Sequence, residues 1–143
     1  MTVEEKIRSV VEAMGIAYMF EDWSRANKKA DKSKYPLCIN VLPVAGSLNF
    51  TMGLIKDSPY CLLAFVDKAK FDFNGEENDQ IIERMKTLAK RFVVRCNESG
   101  LFEPITGQVK YSVLYDKLDV NVTGITIQLT LQESRGTCEY ELL

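Results

Sequence analysis

The chain has 143 residues, within the span of one folded domain and long enough to build a hydrophobic core without disulfide or metal staples. Hydrophobic residues make up 46% and charged residues 27%, the balance of an ordinary globular chain. With 18 basic against 20 acidic side chains the formal net charge is -2, which offers no basic excess for a phosphate backbone, and the absence of histidine removes Ser-His-Asp and Cys-His nucleophile systems, histidine general bases and most catalytic zinc sites.

The first residues, Met1-Thr2-Val3-Glu4-Glu5-Lys6, lack the basic start and apolar run of a secretory leader, and no stretch has the length of a membrane span. Residues 2–14 read as a helix. Thr2 and Glu5 form a capping-box pattern, Val3, Ile7, Val10, Val11 and Met14 recur at spacings of three and four, and Gly15 supplies a left-handed stop. Residues 16–20 predict a short strand. Residues 21–35 hold five cations against three acids and read as an exposed loop or ragged helix around the only tryptophan, Trp23. Residues 36–42 predict a strand with Leu37, Ile39 and Val41 on one face, and 43–47 a turn. The alternation of Leu48, Phe50, Met52 and Leu54 predicts a second strand over 48–56, followed by a turn at Asp57-Ser58-Pro59. The near-continuous apolar run of 60–67 predicts a third strand buried on both faces.

Residues 68–75 read as a loop in which Phe71 and Phe73 flank Asp72. A long helix follows, its broad apolar face traced by Ile81, Ile82, Met85, Leu88, Ala89, Phe92, Val93 and Cys96. Asn74 and Glu77 make a cap, Glu76, Glu77 and Asp79 crowd the start, Lys90, Arg91 and Arg95 fall in the last turns, and Gly100 stops it. Val109, Tyr111, Val113 and Tyr115 alternate as a strand, residues 116–121 form a loop, and Ile125, Ile127, Leu129 and Leu131 alternate with Thr126, Gln128, Thr130 and Gln132 as a half-buried strand with a polar outer face. This order predicts a single α+β domain over 1–143: a mostly antiparallel sheet of about five to six strands, with the N-terminal helix and the long helix packed on one face.

The residues that carry chemistry without histidine each read as structure. Cys38, Cys61, Cys96 and Cys138 are 23, 35 and 42 residues apart, with no CxxC pair, and the first three sit in apolar runs as small buried hydrophobes. Aligning the acidic cluster at 72–79 on Gly75 as a calcium loop puts Lys70 at the first ligand position and Ile81 where the bidentate glutamate belongs. Asp57, Asp67, Asp72, Asp116 and Asp119 lie in turns or at strand ends, and spacing brings no pair of them together for acid–base work. No glycine-rich phosphate loop is present, and the sequons at Asn49 and Asn121 have no leader to make them glycosylation sites. The expectation is a non-enzymatic chain with no catalytic residue, cofactor or metal.

Surface residues say more. Trp23, Phe71 and Phe73 lie outside the periodic faces, residues 25–34 are basic and 72–79 acidic. One reading folds the aromatics under the sheet and leaves two solvated charged faces. The other, adopted as the interface expectation, makes Trp23, Phe71 and Phe73 anchors on a partner subunit and sets Arg25, Lys28 and Lys29 against Glu76, Glu77 and Asp79 across subunits.

The run from Ser58-Pro59-Tyr60-Cys61-Leu62 through Asp67-Lys68, the segment Phe71-Asp72-Phe73-Asn74-Gly75-Glu76-Glu77-Asn78-Asp79, and Tyr115-Asp116-Lys117-Leu118-Asp119-Val120-Asn121-Val122-Thr123-Gly124 resemble small proteins of phage and prophage structural modules. Over nearly the whole chain the element order is similar to the tail-terminator and tail-completion (neck) proteins of long-tailed phages. The resemblance implies a non-enzymatic subunit that forms a ring, often hexameric, at the end of the tail tube or at the neck. Its partners would be further copies of itself and tail-tube or neck proteins, with no nucleic acid and no membrane. It would reside in the host cytoplasm during assembly and then in the virion. The family marks its ring interfaces with no fixed motif, so the resemblance assigns no residue. Two other classes remain: a monomeric adaptor or inhibitor domain, which predicts a single apolar patch, and an enzyme using carboxylates, Cys61 or Cys96, which predicts a pocket with convergent ionisable groups.

Overall fold

A computed structural model of the chain describes residues 1–70 and 74–143, apart from the side chain of Asp116. Helix α1 (Val3–Ala13) opens on the capping box the sequence predicts. The Thr2 hydroxyl accepts from the Glu5 amide and the Glu5 carboxylate accepts from the Thr2 amide, each at 3.2 Å. The chain continues through β1 (Ala17–Glu21), α2 (Trp23–Lys29) with a 3-10 turn (Ala30–Lys32), β2 (Leu37–Val41), β3 (Gly46–Thr51), β4 (Leu54–Lys68), α3 (Gly75–Ser99), β5 (Lys110–Lys117), β6 (Val122–Thr130) and β7 (Thr137–Cys138), and ends in a second 3-10 turn (Glu139–Leu142).

The main sheet has the order β1-β2-β4-β6-β5, with β3 and β7 paired to the first half of β4. β1 runs parallel to β2, and the other pairings are antiparallel. The fold is therefore α+β with a mostly antiparallel sheet, as the element order predicts. It has seven strands among the described residues where five to six were expected. The additional strand is β7, two residues of the C-terminal tail, and two departures shift the boundary between the strands expected at 48–56 and 60–67. Met52 and Gly53 both take positive φ, 46° and 86°, and reverse the chain inside the segment read as one strand. The turn expected at 57–59 does not form; β4 runs 15 residues straight through it. Pro59 is accommodated opposite Gly46, where a Cβ would stand 2.9 Å from the Pro59 Cα.

The core lies on both faces of the sheet. On one face Cys38, Leu63, Phe65, Ile125 and Ile127 meet Ile7 and Val11 of α1 and Ile81, Met85 and Phe92 of α3. The Phe65 and Phe92 rings sit 5.9 Å apart and tilted, a favourable aromatic contact. On the other face Leu37, Ile39, Ala64, Val66 and Val122 pack with Met19 and Ala26. The segment at 21–35 is thus not a free loop. It holds a short helix, capped by Asp22 accepting from the Arg25 amide at 2.8 Å, and its fully buried Ala26 and Ala30 seal the second face. β6 departs likewise from its expected polar outer face: Thr126 is buried, and the exposed positions begin at Gln128.

α3 starts at Asn74, whose side chain accepts from the Glu77 amide at 3.0 Å, and stops at Gly100 with φ 70°. Because it runs to Ser99, its last turn contains no basic residue. Arg95 instead donates at 3.3 Å to the Ala13 carbonyl, placing a cation on the negative end of α1. Ala69, just after β4, and the first turns of α3 are each tied to the sheet through a buried asparagine. Asn121 donates to the Ala69 carbonyl at 3.0 Å, and Thr123 donates to Asn78 at 3.1 Å.

Candidate interaction surfaces

β3 and the first half of β4 leave the main sheet as a two-stranded arm. Phe50 pairs with Ile55 and Leu48 with Asp57. By the alternation along β4, Ile55 and Asp57 point to the same side as Cys61, Leu63 and Phe65, the side that carries α1 and α3. Leu48 and Phe50 share that side, but the helices do not reach them, and Phe50 is 68% exposed. Met52, at the tip, is 99% exposed. The other side of the arm is tied down by Lys56 bonding Glu103 at 2.8 Å and by Asn49 donating to Ser58 at 3.0 Å.

The C-terminal residues fold onto this arm. Cys138 pairs with Leu54, and the Glu139 amide donates to the Gly53 carbonyl at 2.9 Å. Gly136 passes so close to the Ile55 carbonyl that a Cβ would stand 2.4 Å from it. The closing turn then presents Tyr140, Leu142 and Leu143, all exposed, interleaved with exposed Glu139 and Glu141. The arm end is therefore apolar and acidic together.

A second surface forms at the β5 edge. Tyr111 and Val113 lie opposite Ile127 and Ile125, on the side of α3. The helix covers β6 but not its neighbour, which leaves a groove of about 390 Å³ between α3 and β5. Val93, Val94, Val109 and Tyr111 line it, with Lys86 and Lys90 on its helical lip. The Lys86 ammonium sits 4.9 Å from the Tyr111 ring centroid and bonds Glu83 at 3.1 Å.

A third depression, of about 630 Å³, lies along β1 and includes Arg8, Tyr18, Glu21 and Lys29. A chain of hydrogen bonds runs beside it, although the buried Asn40 Oδ1 has no partner among the described residues. Asn40 donates to the Tyr18 hydroxyl at 3.0 Å, Tyr18 donates to Glu4 at 3.0 Å, and Arg8 donates to Glu4 at 2.6 Å. Burial pushes the Tyr18 phenol well above its ordinary range, so it stays a neutral donor. The Glu4 carboxylate raises the Arg8 guanidinium further.

The thiols are equally quiet. Burial pushes Cys61 up to about 11, Cys96 to about 12 and Cys38 higher still, so all three remain protonated at neutral pH, a state of low nucleophilicity. Asp67 faces Arg84 at 4.0 Å, and Asp119 accepts from Asn27 at 3.0 Å. Among the described residues no group of three or more Cys, Asp or Glu is placed to hold a metal ion.

The residues expected at an interface fall in three places. Trp23 is half-buried against the second core face, with the Lys117 ammonium 5.9 Å from its ring centroid. Arg25 and Lys28 are exposed on α2, Arg25 beside Asp22 at 4.0 Å, whereas Lys29 is already paired with Glu21 of its own chain. Glu76, Glu77 and Asp79 are exposed at the start of α3. Phe71 and Phe73 lie outside the described residues. Sequence reasoning missed the arm, the closing turn and the groove. The signal for the first two was present in the apolar residues on either side of Gly53 and in the run Glu139-Tyr140-Glu141-Leu142-Leu143.

Among the described residues no helix is long and apolar enough to cross a membrane. Compared with protein-family models, curated proteins and solved structures, the chain matches none.

Proposed function

We propose that the chain is a non-enzymatic assembly subunit of a phage virion, of the tail-terminator or head–tail completion kind, which associates with copies of itself into a ring and docks on the tail tube or neck. The observation that carries this reading is the presence of two unlike exposed apolar surfaces, the arm end and the α3–β5 groove. A monomeric adaptor needs one such surface. Two different surfaces on one chain suit head-to-tail contacts, which close into a ring when the rotation between copies divides a full turn. The buried, protonated thiols fit a chain that works by binding. Arg25 and Lys28 on α2, with Glu76, Glu77 and Asp79 on α3, are exposed and available for additional pairing between subunits. Lys29 would first have to leave Glu21.

The test is to purify the chain alone and mixed with tail tubes of a long-tailed phage, and to examine both by light scattering and electron microscopy. Rings, either free or capping tube ends, are the expected result. A monomer at every concentration that also ignores the tubes overturns the reading.

A further inference from the structure

The arm end and the groove are both apolar and carry opposite charge. The arm end offers Met52, Tyr140, Leu142 and Leu143 around two acids, Glu139 and Glu141. The groove, of about 390 Å³, offers an apolar floor and two cations on its helical lip, Lys86 and Lys90 of α3. Lys90, Glu139 and Glu141 have no ion-pair partner among the described residues, which leaves them open to pairing outside the chain. The closing turn cannot be regarded as a loose tail. The Cys138–Leu54 pairing, the Glu139–Gly53 bond and the close passage of Gly136 hold it to the arm, which presents a preorganised shape and lowers the ordering cost of binding.

From this we infer that the arm end of one copy seats in the α3–β5 groove of a second copy. Tyr140 and Leu142 enter the groove against Val94 and Tyr111, and the acids Glu139 and Glu141 meet the lysine lip of α3, Lys90 first and Lys86 beside it. The inference rests on the self-association reading above and names its contact. The contact is heterologous: every copy that donates its arm end still has an open groove, and every copy that accepts one still has a free arm end. Growth therefore continues until the set closes. Lysine–glutamate pairs at the solvated rim set the register, while the apolar side chains supply most of the affinity.

Two variants test it. Leu142→Glu damages the arm end and Val94→Glu damages the groove; both positions are exposed, so circular dichroism and melting should match the unchanged chain. Sedimentation velocity is then run across concentration up to about 1 mM, the weak limit for a specific contact. The unchanged chain should grow beyond a dimer. Each variant alone should associate at least about tenfold more weakly. An equimolar mixture of the two should give a 1:1 dimer and nothing larger, because it contains one intact arm end and one intact groove per pair. Lys90→Glu should weaken association, and Glu141→Lys in the partner should restore it. A chain that stays monomeric to about 1 mM, variants that associate like the unchanged chain, or a mixture that does not dimerise overturns the inference. Association that survives both substitutions leaves ring formation standing through another surface, whereas failure on the tail tube removes the function itself.

Discussion

A thiol is a reagent or a small hydrophobe according to what surrounds it. Cys38 is fully buried in the sheet, Cys96 lies on the inner face of α3, and Cys61 is buried near the root of the arm. The low-dielectric surroundings penalise the thiolate and push all three pKa values up, Cys61 to about 11 and Cys96 to about 12. In the unfolded chain the same thiols ionise at about 8.5. The sign follows: a folded value above the unfolded one means that the fold gains nothing and loses nothing below about pH 8, and is progressively destabilised as pH rises toward the folded values. Tyr18, also raised by burial, acts in the same direction from its own higher reference. The urea midpoint should accordingly be flat between about pH 7 and pH 8 and fall steadily above about pH 9, with a shallower fall in Cys96→Ala than in the unchanged chain. An alkaline limb of equal slope in both proteins would show that the thiol is not the titrating group.

At the scale of elements, the crossing of β4, β5 and β6 depends on Gly124. It pairs with Val66 on one side and Leu114 on the other, just where the β5 register shifts between Leu114 and Lys117. A Cβ there would stand 2.0 Å from the Phe65 carbonyl oxygen, an atom of the backbone that has nowhere to go. Gly124→Ala therefore has to push the central strands β4 and β6 apart, at a cost of about 3 kcal/mol and a fall of roughly 10 °C in melting temperature. A melting curve that superimposes on that of the unchanged chain would refute the close approach. The same elements show what periodicity can reveal. α1 and α3 were legible because each buries a regular stripe, and β2 and the inner half of β4 because they are short apolar runs, buried on both faces. The arm was not: Leu48 and Phe50, then Met52 at the turn, then Leu54 on the return strand keep a period of two across the reversal, so a hairpin reads as one strand. α2 stayed an open choice between loop and ragged helix because its burial rests on Ala26 alone, with Ala30 in the turn that follows, and alanines leave no amphipathic signature among the lysines. The groove was illegible for a third reason. The alternation of Tyr111 and Val113 correctly places them on the helix side, and only the topology reveals that α3 stops at β6.

Over the whole molecule, burial divides the chain into a firm centre and a thin extension. The inner half of β4 and the first half of β6 are covered by α1 and α3 on one face and by α2 on the other. The arm has no layer over Leu48 and Phe50, and β7 joins it through two residues. Amide exchange in a native protein follows local opening, so its rate maps this division. The amides of 63–66 and 125–127 should exchange only through global unfolding, whereas those of 46–51 and 137–142 should exchange orders of magnitude faster at low protein concentration. The contrast then becomes a probe of assembly. If the arm end seats in a neighbour's groove, raising the concentration should slow exchange at 137–142 and at the β5 residues 109–113 together, and leave the centre unchanged. Protection that rises at one of these regions without the other cannot come from a head-to-tail contact between them. An arm that already exchanges as slowly as the centre in the monomer would mean that the extension is not thin at all, and its exposed apolar residues would then need a cover within the chain rather than on another copy.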